Sequence, residues 1–367
     1  MIALLALIVW LYLFFAHGRF WSSEPQLWAQ MPTSCPDIDI VVPARDEAQT
    51  IRPAIESLLA QDYPGKFRVI LVDDNSGDGT VQCAGAAANL TILSLRSKPA
   101  GWSGKLWALG QGIAAGSAPI LLFTDADIVH DPRHLSSLVA KLLPSGTDMV
   151  SEMVRLNCRS FAERALVPAF VYFFQMLYPF RRVNDPHSPL AAAAGGTILI
   201  RREALQRIGG IESIKDSLID DVALARAVKR TGGIFLGHSG LAASIRPYPH
   251  FADVRQMISR SAYAQLNYSP LLLAGTLLGM ALTYLAAPLL AVFARGWPEI
   301  VGIAVWVAMA ASFGPTLRFY RLSPIWGIAL PGIAMLYAFY TFDSAFKHWR
   351  RRGGQWKGRV HVNVAGL

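Results

Sequence analysis

The sequence predicts an α/β domain of alternating strands and helices, flanked on both sides by membrane-spanning helices. Three observations predict this: short β-branched runs that alternate with helical stretches, long uncharged segments near both ends of the chain, and a low content of charged residues. The 367 residues are 53% hydrophobic and only 16% charged, whereas charged residues make up about 25% of an average soluble domain. We therefore expect residues 30–268 to form the α/β domain and the flanking segments to lie in a membrane.

The chain begins with an apolar segment, residues 1–16, that carries no charge. Extension to residue 21 adds Phe20 and Trp21 and completes a span with aromatic side chains at the interface. A cleaved signal peptide is the alternative, but no basic region precedes the segment and no A-x-A site follows it. Because Arg19 follows the span and nothing basic precedes it, the positive-inside rule places the next domain in the cytoplasm.

Residues 269–346 contain three apolar stretches, and a basic tail follows at residues 347–367. The stretches are Leu271–Ala294, Ile300–Phe313 and Ile325–Phe346. If the α/β domain and the tail both lie in the cytoplasm, the number of spans between them is even. We favour a re-entrant or interfacial middle stretch, with a tail on the far side as the alternative. The tail is interpreted as an interfacial anchor, and the chain as a multi-pass protein of the inner (plasma) membrane.

The net charge of +9 limits the class of partner. A basic balance fits nucleic acid, anionic lipid or phosphorylated substrates. No recognition-helix or zinc-finger pattern is present, so we expect lipid and phosphate partners and no nucleic acid. Three widely spaced cysteines, Cys35, Cys83 and Cys158, form no C-x-x-C and fit a reduced, cytosol-facing domain.

The middle of the chain alternates between strand-like and helix-like segments. Four short apolar runs predict buried parallel strands: Asp37–Ala44, Phe67–Asp73, Thr91–Leu95 and Ile120–Thr124. Helical stretches lie between them, near Glu47–Ala60, Thr80–Ala88 and Gly104–Ala115. Such a series forms a βαβ sheet, which binds ligands at the carboxyl ends of its strands. Three of the runs end in the polar clusters PARDE, DDNSGDGT and DAD, which we expect to converge on one crevice.

Asp125 and Asp127 follow the strand ILLFT as a D-x-D pair. Two carboxylates at a strand end suit one hard divalent cation, Mg²⁺ or Mn²⁺, which bridges a diphosphate. A lone D-x-D is a weak signal, and turn or N-cap aspartates are the alternative. The position of this pair in the βαβ series favours the metal site.

Two further acidic clusters end the preceding strands. Asp74 lies where a carboxylate can accept hydrogen bonds from a base or ribose, and the alternative is turn and N-cap chemistry for the next helix. Asp46 and Glu47 end the first strand, where first-turn acids favoured by the helix dipole are the alternative.

Two helix starts and one apolar stretch complete the candidates. The stretch Gly101–Lys105 opens a helix, where glycines, a helix N-terminus and Lys105 favour a phosphate, although the Walker A spacing is absent. Asp220 and Asp221 open an amphipathic helix, where one carboxylate is placed to deprotonate an acceptor hydroxyl and the other to cap the helix. Phe161–Phe180 is interpreted either as an interfacial lipid guide or as a core helix.

Together these motifs resemble inverting family 2 glycosyltransferases of the GT-A fold. The matching series is VVPARDEAQTI, LVDDNSGDGT, GWSGKLWALGQG, LLFTDADIVHDP, AAGGTILIRREAL and IDDVALA, across residues 37–265. The flanking spans resemble the membrane-bound branch that includes ceramide glucosyltransferases. GWSGKLWALGQG, RSAYAQLNYSPLLLAGTLLGM and QWKGR are similar to the bacterial hopene-associated glycosyltransferases.

The resemblance implies a GT-A nucleotide-sugar-binding domain with a Rossmann-like mixed sheet. It also implies site roles, which are as follows: Asp46 and Asp74 contact the uridine part of the donor, Asp125 and Asp127 hold the metal with Asp127 as the more direct ligand, Gly195 and Gly196 lie near the donor sugar, and Asp221 is the catalytic base. The family motif Q-x-x-R-W is incomplete, because Met257 stands at the position of Gln and Ser261 at the position of Trp, with Arg260 matching the arginine. Arg260 or Lys105 then stabilises the diphosphate, and a weaker role at the donor falls to Lys357 and Arg359 of the tail.

The implied activity is a metal-dependent transfer of a hexosyl group from a nucleotide-sugar, with UDP expected, to a membrane lipid that is hopanoid-related. A polyprenyl-phosphate sugar transferase is the alternative within the same domain. A processive polysaccharide synthase fits less well, because the motif is incomplete and the spans are few. The alternative from another class is a non-catalytic membrane scaffold or transporter, against which the intact acids Asp74, Asp125, Asp127 and Asp221 speak.

Overall fold

The computed structural model describes residues 1–144 and 146–350 in full, and the backbone of residues 355–356 and 359–360. The chain divides into two compact units. A helical unit contains Met1–Glu24, Cys158–Arg182 and Pro247–Gln355, and an α/β unit contains Pro25–Asn157, Val183–Arg246 and the segment from Trp356. Most of the basic tail predicted at residues 347–367, including Lys357 and the side chain of Arg359, lies outside the described residues.

The strands of the described chain are β1 Gln26–Leu27, β2 Ile38–Ala44, β3 Phe67–Asp73, β4 Leu90–Ser94, β5 Ile120–Thr124, β6 Ile128–His130, β7 Thr147–Arg155, β8 Thr197–Arg201, β9 Gly233–Ser244, β10 Gln355–Trp356 and β11 Arg359–Val360. The helices are α1 Ile2–Ala16, α2 Ile51–Leu59, α3 Thr80–Ala84, α4 Gly104–Ala114, α5 His134–Leu142, α6 Phe161–Leu177, α7 Phe180–Asn184, α8 Arg202–Arg207, α9 Asp220–Lys229, α10 Phe251–Ser259, α11 Ala262–Gln265, α12 Pro270–Phe293, α13 Trp297–Phe319 and α14 Leu330–Trp349.

The α/β unit is built on a mixed sheet whose strand order is β1-β9-β7-β8-β5-β2-β3-β4, with β6 paired to β9. Strands β2, β3, β4 and β5 run parallel, while β8 runs antiparallel to both β5 and β7. The carboxyl ends of β2, β3 and β5 therefore meet at one edge, as the sequence predicted. Strand β9 pairs parallel with β7 and extends the sheet on its other side.

Both faces of the sheet are covered, which is why its central strands are apolar along their whole length. Every residue of β2 and β5 is buried. Helix α2 contributes Ile51, Ile55 and Leu58 to the core, and α5 contributes Leu138 and Val139. This packing fixes the strand ends that carry the polar clusters.

The helical unit includes a segment that the sequence predicted as part of one continuous domain over residues 30–268. Helix α6 begins at a capping box, in which Ser160 and Glu163 exchange side-chain and backbone hydrogen bonds. Its Tyr172 bonds to Ser312 at 2.7 Å, and Tyr337 donates to the carbonyl of Leu166 at 2.7 Å. Residues 158–182 and 247–350 thus belong to the helical unit, and α6 is a core helix of this unit.

Two helices of the described chain are long and apolar enough to cross a membrane, α12 with 24 residues and α13 with 23. At 1.5 Å per residue these helices are about 36 and 35 Å long, against about 30 Å of hydrocarbon. Helix α13, which contains the middle stretch, is thus long enough for a full span, and the re-entrant arrangement stays a prediction. The apolar helix α1 is shorter, and α14 carries Asp343 and Lys347, which pair with each other at 2.8 Å.

Candidate active site

One pocket of the α/β unit collects side chains from the carboxyl edge of the sheet and from the starts of α4 and α9. Strand β5 ends at Thr124 and delivers Asp125, while α4 begins at the N-cap Ser103, whose hydroxyl accepts from the Leu106 N–H at 3.2 Å. The pocket is lined by Pro43, Lys105, Leu106, Leu109, Phe123, Thr124, Asp125, Gly195, Ile198, Ile211, Ile214, Asp220, Asp221 and Leu224. It is apolar at its walls and charged at one side.

Lys105 is the cation of this pocket. Its Nζ lies 2.9 Å from Asp125 Oδ1 and 3.4 Å from Asp220 Oδ2, with only 20% of the side chain exposed. Burial alone would lower the Lys105 pKa, but the neighbouring Asp125 and Asp220 carboxylates raise it well above its ordinary value. Lys105 is therefore a permanent positive charge between two acids, as a group that binds a diphosphate requires.

The carboxylate of Asp221 is in a different environment from that of Asp220. Burial, followed by the charge of Asp220, raises the pKa of Asp221 to about 7, although Lys105 and the N–H groups of Val222 and Gly195 act against the shift. The Val222 N–H donates to Asp221 Oδ1 at 2.8 Å. A carboxylate whose pKa lies near neutral pH is suited to general-base catalysis. Of the two candidates for the base, Asp221 therefore fits better, and Asp220 is the partner of Lys105.

Asp125 shares this electrostatic environment. Burial raises the pKa of Asp125, with a further increase from Asp127, while Lys105 opposes both. Lys105 thus stabilises the ionised form of Asp125, which burial alone would disfavour.

Gly195 closes the pocket between Lys105 and Asp221. A Cβ built at Gly195 would lie 3.2 Å from Asp221 Oδ2 and 3.4 Å from Lys105 Nζ. A side chain at this position would therefore press against the acid, the lysine, or any group bound between them. Its neighbour Gly196 does not line the pocket, and its carbonyl accepts the N–H of Asp125 at 3.3 Å.

Asp127 lies at the same edge of the sheet and is hydrogen-bonded to residues at the carboxyl end of β9. Its Oδ2 accepts hydrogen bonds from Ser244 Oγ and Arg246 Nε, both at 2.9 Å. The same arginine donates from Nη2 to both oxygens of Glu47, at 2.6 and 2.7 Å. Arg246 thus joins the end of β9 to the acid that follows β2 and to the second acid of the D-x-D pair.

Asp74 and Asp46 lie beside each other at the ends of β3 and β2. The Asp74 N–H donates to the Ala44 carbonyl at 2.8 Å, and Arg45 Nη1 donates to the Asp74 carbonyl at 2.5 Å. Asp46 has a left-handed backbone, with φ of 52°, and its carboxylate accepts the Gly77 N–H at 2.9 Å. These acids lie at the predicted edge but do not line the pocket, so their assignment to the uridine stays a prediction.

Asp125 and Asp127 fit a divalent cation that takes most of its ligands from substrate and water. Both supply hard oxygen donors, and the Asp125 side chain is 36% exposed. Within the described residues, no group of three or more His, Cys, Asp or Glu side chains is arranged to hold a metal ion. Mg²⁺ commonly binds through one or two carboxylates together with substrate phosphates, so two acids suffice.

Arg260 is the one predicted site residue that belongs to the other unit. It is the C-cap of α10 in the helical unit, and it is exposed. The residues that line the pocket all belong to the α/β unit, so Lys105 is the pocket's cation and the role of Arg260 at the diphosphate stays a prediction.

Sequence reasoning missed Arg246, and it did not predict β9. The run GIFLGHSGLAAS contains glycines and polar residues that dilute the strand pattern. The signal that could have identified Arg246 is the run of small and polar residues that precedes it. Had this run been recognised as a strand parallel to β7, its carboxyl end would have been expected at the same edge of the sheet as the acids.

A mixed α/β sheet with acids and a lysine at the carboxyl ends of its strands is the architecture of nucleotide-binding α/β domains. Residues 39–209 match the family model described as "Glycosyl transferase family 2". This match spans just under half of the chain, and together with the mixed α/β sheet it supports the GT-A fold predicted from the sequence.

Named relatives are similar to part of the chain. The glycosyltransferase AglE of Haloferax volcanii is 30% identical over 132 residues, which are 35% of this chain and 42% of the relative. The dodecaprenyl-phosphate galacturonate synthase of Rhizobium johnstonii is 30% identical over 122 residues, or 32% of this chain and 36% of the relative. The chain thus spans less than half of the length of these relatives.

A solved structure extends the similarity of the fold over nearly the whole chain. The mannosyltransferase PcManGT from Pyrobaculum calidifontis, in complex with GDP-Man and Mn²⁺, superposes with a TM-score of 0.57. The match covers 95% of this chain and 99% of that one at 20% sequence identity. It shows that the two chains share a fold.

Proposed function

We propose that the chain is a membrane-bound inverting glycosyltransferase that moves a sugar from a nucleotide-sugar, with UDP as the expected nucleotide, onto a lipid. The observation that supports it best is the placement of Asp221, Asp125 and Lys105 around one pocket of a glycosyltransferase family 2 domain. In this proposal Asp221 serves as the base, Lys105 as the cation beside the phosphates and Asp125 as a metal ligand.

In the proposed reaction, Asp221 takes the proton of an acceptor hydroxyl. The acceptor oxygen forms a bond to the anomeric carbon of the donor as the bond from that carbon to the diphosphate oxygen breaks. The nucleoside diphosphate leaves with the bonding electron pair, and the anomeric configuration inverts in a single displacement. The pKa of Asp221, raised to about 7, provides a base that is roughly half deprotonated at neutral pH and basic enough to take this proton.

The departing diphosphate requires positive charge beside it. Lys105 supplies a buried ammonium at the N-terminal end of α4, where the helix dipole adds to its attraction for phosphate. Asp125 and Asp127 would hold Mg²⁺ or Mn²⁺, which when bound supplies Lewis-acid stabilisation of the leaving group. Lys105 pairs with Asp125, and Arg246 pairs with Asp127.

The environment of Asp221 favours a hydroxyl acceptor over a phosphate acceptor. A phosphate oxygen is already anionic and needs no base, and a buried carboxylate beside it would repel it. A lipid hydroxyl, in contrast, must lose a proton as it attacks. A hopanoid-related lipid alcohol is the acceptor that the motif resemblance implies.

The second candidate is a polyprenyl-phosphate sugar transferase. The similarity to the dodecaprenyl-phosphate galacturonate synthase of Rhizobium johnstonii, which is 30% identical over 122 residues, favours it. In this alternative Asp221 positions the donor sugar rather than acting as a base.

Membrane association of the catalytic chain is part of the proposal. Helices α12 and α13 support it through their length and apolar composition, and both expose large apolar side chains such as Leu278 and Ile300. The location expected from the charge rule is the inner membrane, with the α/β unit in the cytoplasm.

Purified protein tests the reaction directly. We expect detergent-solubilised protein with Mn²⁺ and labelled UDP-sugars to transfer label to a lipid extract and, more slowly, to water. Lipid mass spectrometry of membranes with and without the protein then names donor and acceptor together through the missing glycolipid. Transfer to a polyprenyl phosphate alone would support the second candidate. Neither transfer nor hydrolysis with any nucleotide-sugar would overturn the proposal.

A further inference from the structure

A chain of buried polar side chains runs through the core of the α/β unit and ends at the floor of the pocket. Glu152 Oε1 is hydrogen-bonded to His134 Nε2, and His134 Nδ1 lies 2.8 Å from His130 Nδ1. His130 Nε2 lies 3.2 Å from the hydroxyl of Thr124, which donates to the Gly196 carbonyl at 3.0 Å. All four side chains are at most 4% exposed, so solvent does not satisfy any of them.

The pocket end of this chain joins the two sides of the proposed active site. The Gly196 carbonyl accepts both the Thr124 hydroxyl and the N–H of Asp125. Gly195, the preceding residue, donates its N–H to the Asp221 carboxylate. The bond from Thr124 to Gly196 thus fixes the backbone that carries Asp125 against the backbone that holds Asp221.

Hydrogen-bond donors and acceptors can be ordered along this chain in only one direction. Because Thr124 donates to a carbonyl, it accepts from His130, whose proton is then on Nε2. His130 Nδ1 is therefore an acceptor, and His134 donates to it from Nδ1. One further proton lies between His134 Nε2 and Glu152, so the array carries no net charge whichever of the two holds it. The pKa of His130, well below its usual range through burial and the neighbouring His134, agrees with a neutral ring.

We propose that Glu152, His134 and His130 are positioning residues, which hold the Thr124 hydroxyl on the Gly196 carbonyl and thereby set Asp125 and Asp221 at the separation that sugar transfer requires. The inference rests on the proposed function for its kinetic consequence. Its structural consequence is independent of any activity. An apolar core of the same volume would fill the space without the free-energy cost of burying four polar groups. It would not, however, orient the hydroxyl proton of Thr124 toward the Gly196 carbonyl.

The near end of the array is tested at Thr124. Thr124→Val keeps the shape and removes the donor, and we expect kcat to fall about tenfold, as the loss of one ordering hydrogen bond predicts, with KM for the donor within about twofold. Thr124→Ser keeps the hydroxyl and should retain kcat within about twofold. Equal kcat in both variants would overturn the proposal.

The far end separates positioning from direct contact, because Glu152 does not line the pocket. A glutamine at this position can donate from its amide to His134 Nε2 and preserve the order of donors, whereas leucine cannot. We therefore expect Glu152→Gln to retain kcat within about threefold and Glu152→Leu to lower it about tenfold. The control is Tyr63→Phe, which removes a 2.6 Å hydrogen bond to the Pro36 carbonyl at the opposite edge of the sheet.

Hydrogen–deuterium exchange supplies the readout that does not depend on catalysis. We expect faster exchange in peptides covering residues 120–128 and 193–198 for Thr124→Val and Glu152→Leu, and no local change there for Thr124→Ser or Tyr63→Phe. If the wild-type protein transfers no sugar but these exchange patterns hold, the proposed function fails and the positioning array stands. If exchange rises uniformly in every variant, including Tyr63→Phe, the array is merely part of the core and the inference fails.

Discussion

Arg246 donates from Nε to Asp127 Oδ2 at 2.9 Å, and this bond joins the carboxyl end of β9 to the second acid of the D-x-D pair. The same guanidinium also contacts both carboxylate oxygens of Glu47. Two acids from distant parts of the chain therefore share one arginine. This arrangement balances the charge of Asp127 and fixes the orientation of its carboxylate.

We predict strong energetic coupling between Arg246 and Glu47. Arg246→Met leaves two mostly buried carboxylates without their cation, and Glu47→Gln leaves the arginine with one acid fewer. A double-mutant cycle should give a coupling free energy of about 1 to 3 kcal/mol, from chemical denaturation. Arg246→Lys should restore only part of it, since a lysine has a single nitrogen in place of the separate Nε and Nη2 donors that reach Asp127 and Glu47. Strict additivity of the two single variants would contradict the bridge.

The sequence predicted the sheet edge well because buried parallel strands leave a strong local pattern. The expected strand at residues 67–73 is observed at Phe67–Asp73, and the one at residues 120–124 at Ile120–Thr124. The location of the acids that follow these strands could be predicted without long-range information, because the carboxyl ends of neighbouring parallel strands lie at one edge of the sheet. Asp125 was predicted in this way, whereas Lys105 and Asp221 were predicted from the starts of helices and from the family resemblance.

The array behind the pocket and the Arg246 bridge could not be predicted from local pattern. His130 and His134 appear as ordinary polar residues near a helix start, and Glu152 lies within a strand whose pairing is long-range. Their contacts depend on the register of β7 against β8 and β9, which a single sequence does not define. For the same reason the sequence did not separate α6, which packs in the helical unit, from the predicted domain of residues 30–268.

Removal of the proposed base should separate donor binding from transfer. Asp221→Asn keeps the size of the side chain and removes its ability to take a proton, so we expect transfer to fall by about 10² to 10⁴-fold. Calorimetric titration with UDP and Mn²⁺ should give an affinity within a few-fold of the wild type. The matched control is Asp216→Asn, an identical change at an exposed position before the same helix. Unchanged transfer by Asp221→Asn would remove Asp221 from the mechanism.

The pH dependence of transfer should follow the ionisation of Asp221. Since the pKa of Asp221 is raised to about 7 and the active form is deprotonated, kcat/KM should rise with pH to a plateau above neutrality. The charge of Asp220 contributes to this increase, so Asp220→Asn should lower the pKa of Asp221 and move the acid limb of the profile to lower pH. A shift in the opposite direction would show that the limb belongs to another group.

The same ionisation should affect stability, with a definite sign. Asp221 has an ordinary pKa of 3.8 when unfolded and about 7 when folded, so the folded state binds its proton more tightly. Stability contributed by this group is therefore lost as pH rises from about 4 through about 7. Relative to the wild type, Asp221→Asn should gain in melting temperature between pH 5 and pH 8. If the melting temperatures of the two proteins changed in parallel with pH, a raised pKa of Asp221 would be contradicted.

The close approach of Gly195 to the acid and the lysine leads to a steric prediction. A methyl group at this position would lie 3.2 Å from Asp221 Oδ2, which is tighter than ordinary contact, so the carboxylate must shift slightly, whereas the 3.4 Å to Lys105 Nζ is ordinary contact. We expect Gly195→Ala to lower kcat/KM about tenfold or more, since small displacements of catalytic groups are costly. Gly240→Ala is the matched control, because a Cβ at Gly240 meets nothing within 4 Å. Equal activity of the two alanine variants would show that nothing is bound between Gly195, Lys105 and Asp221 during the reaction.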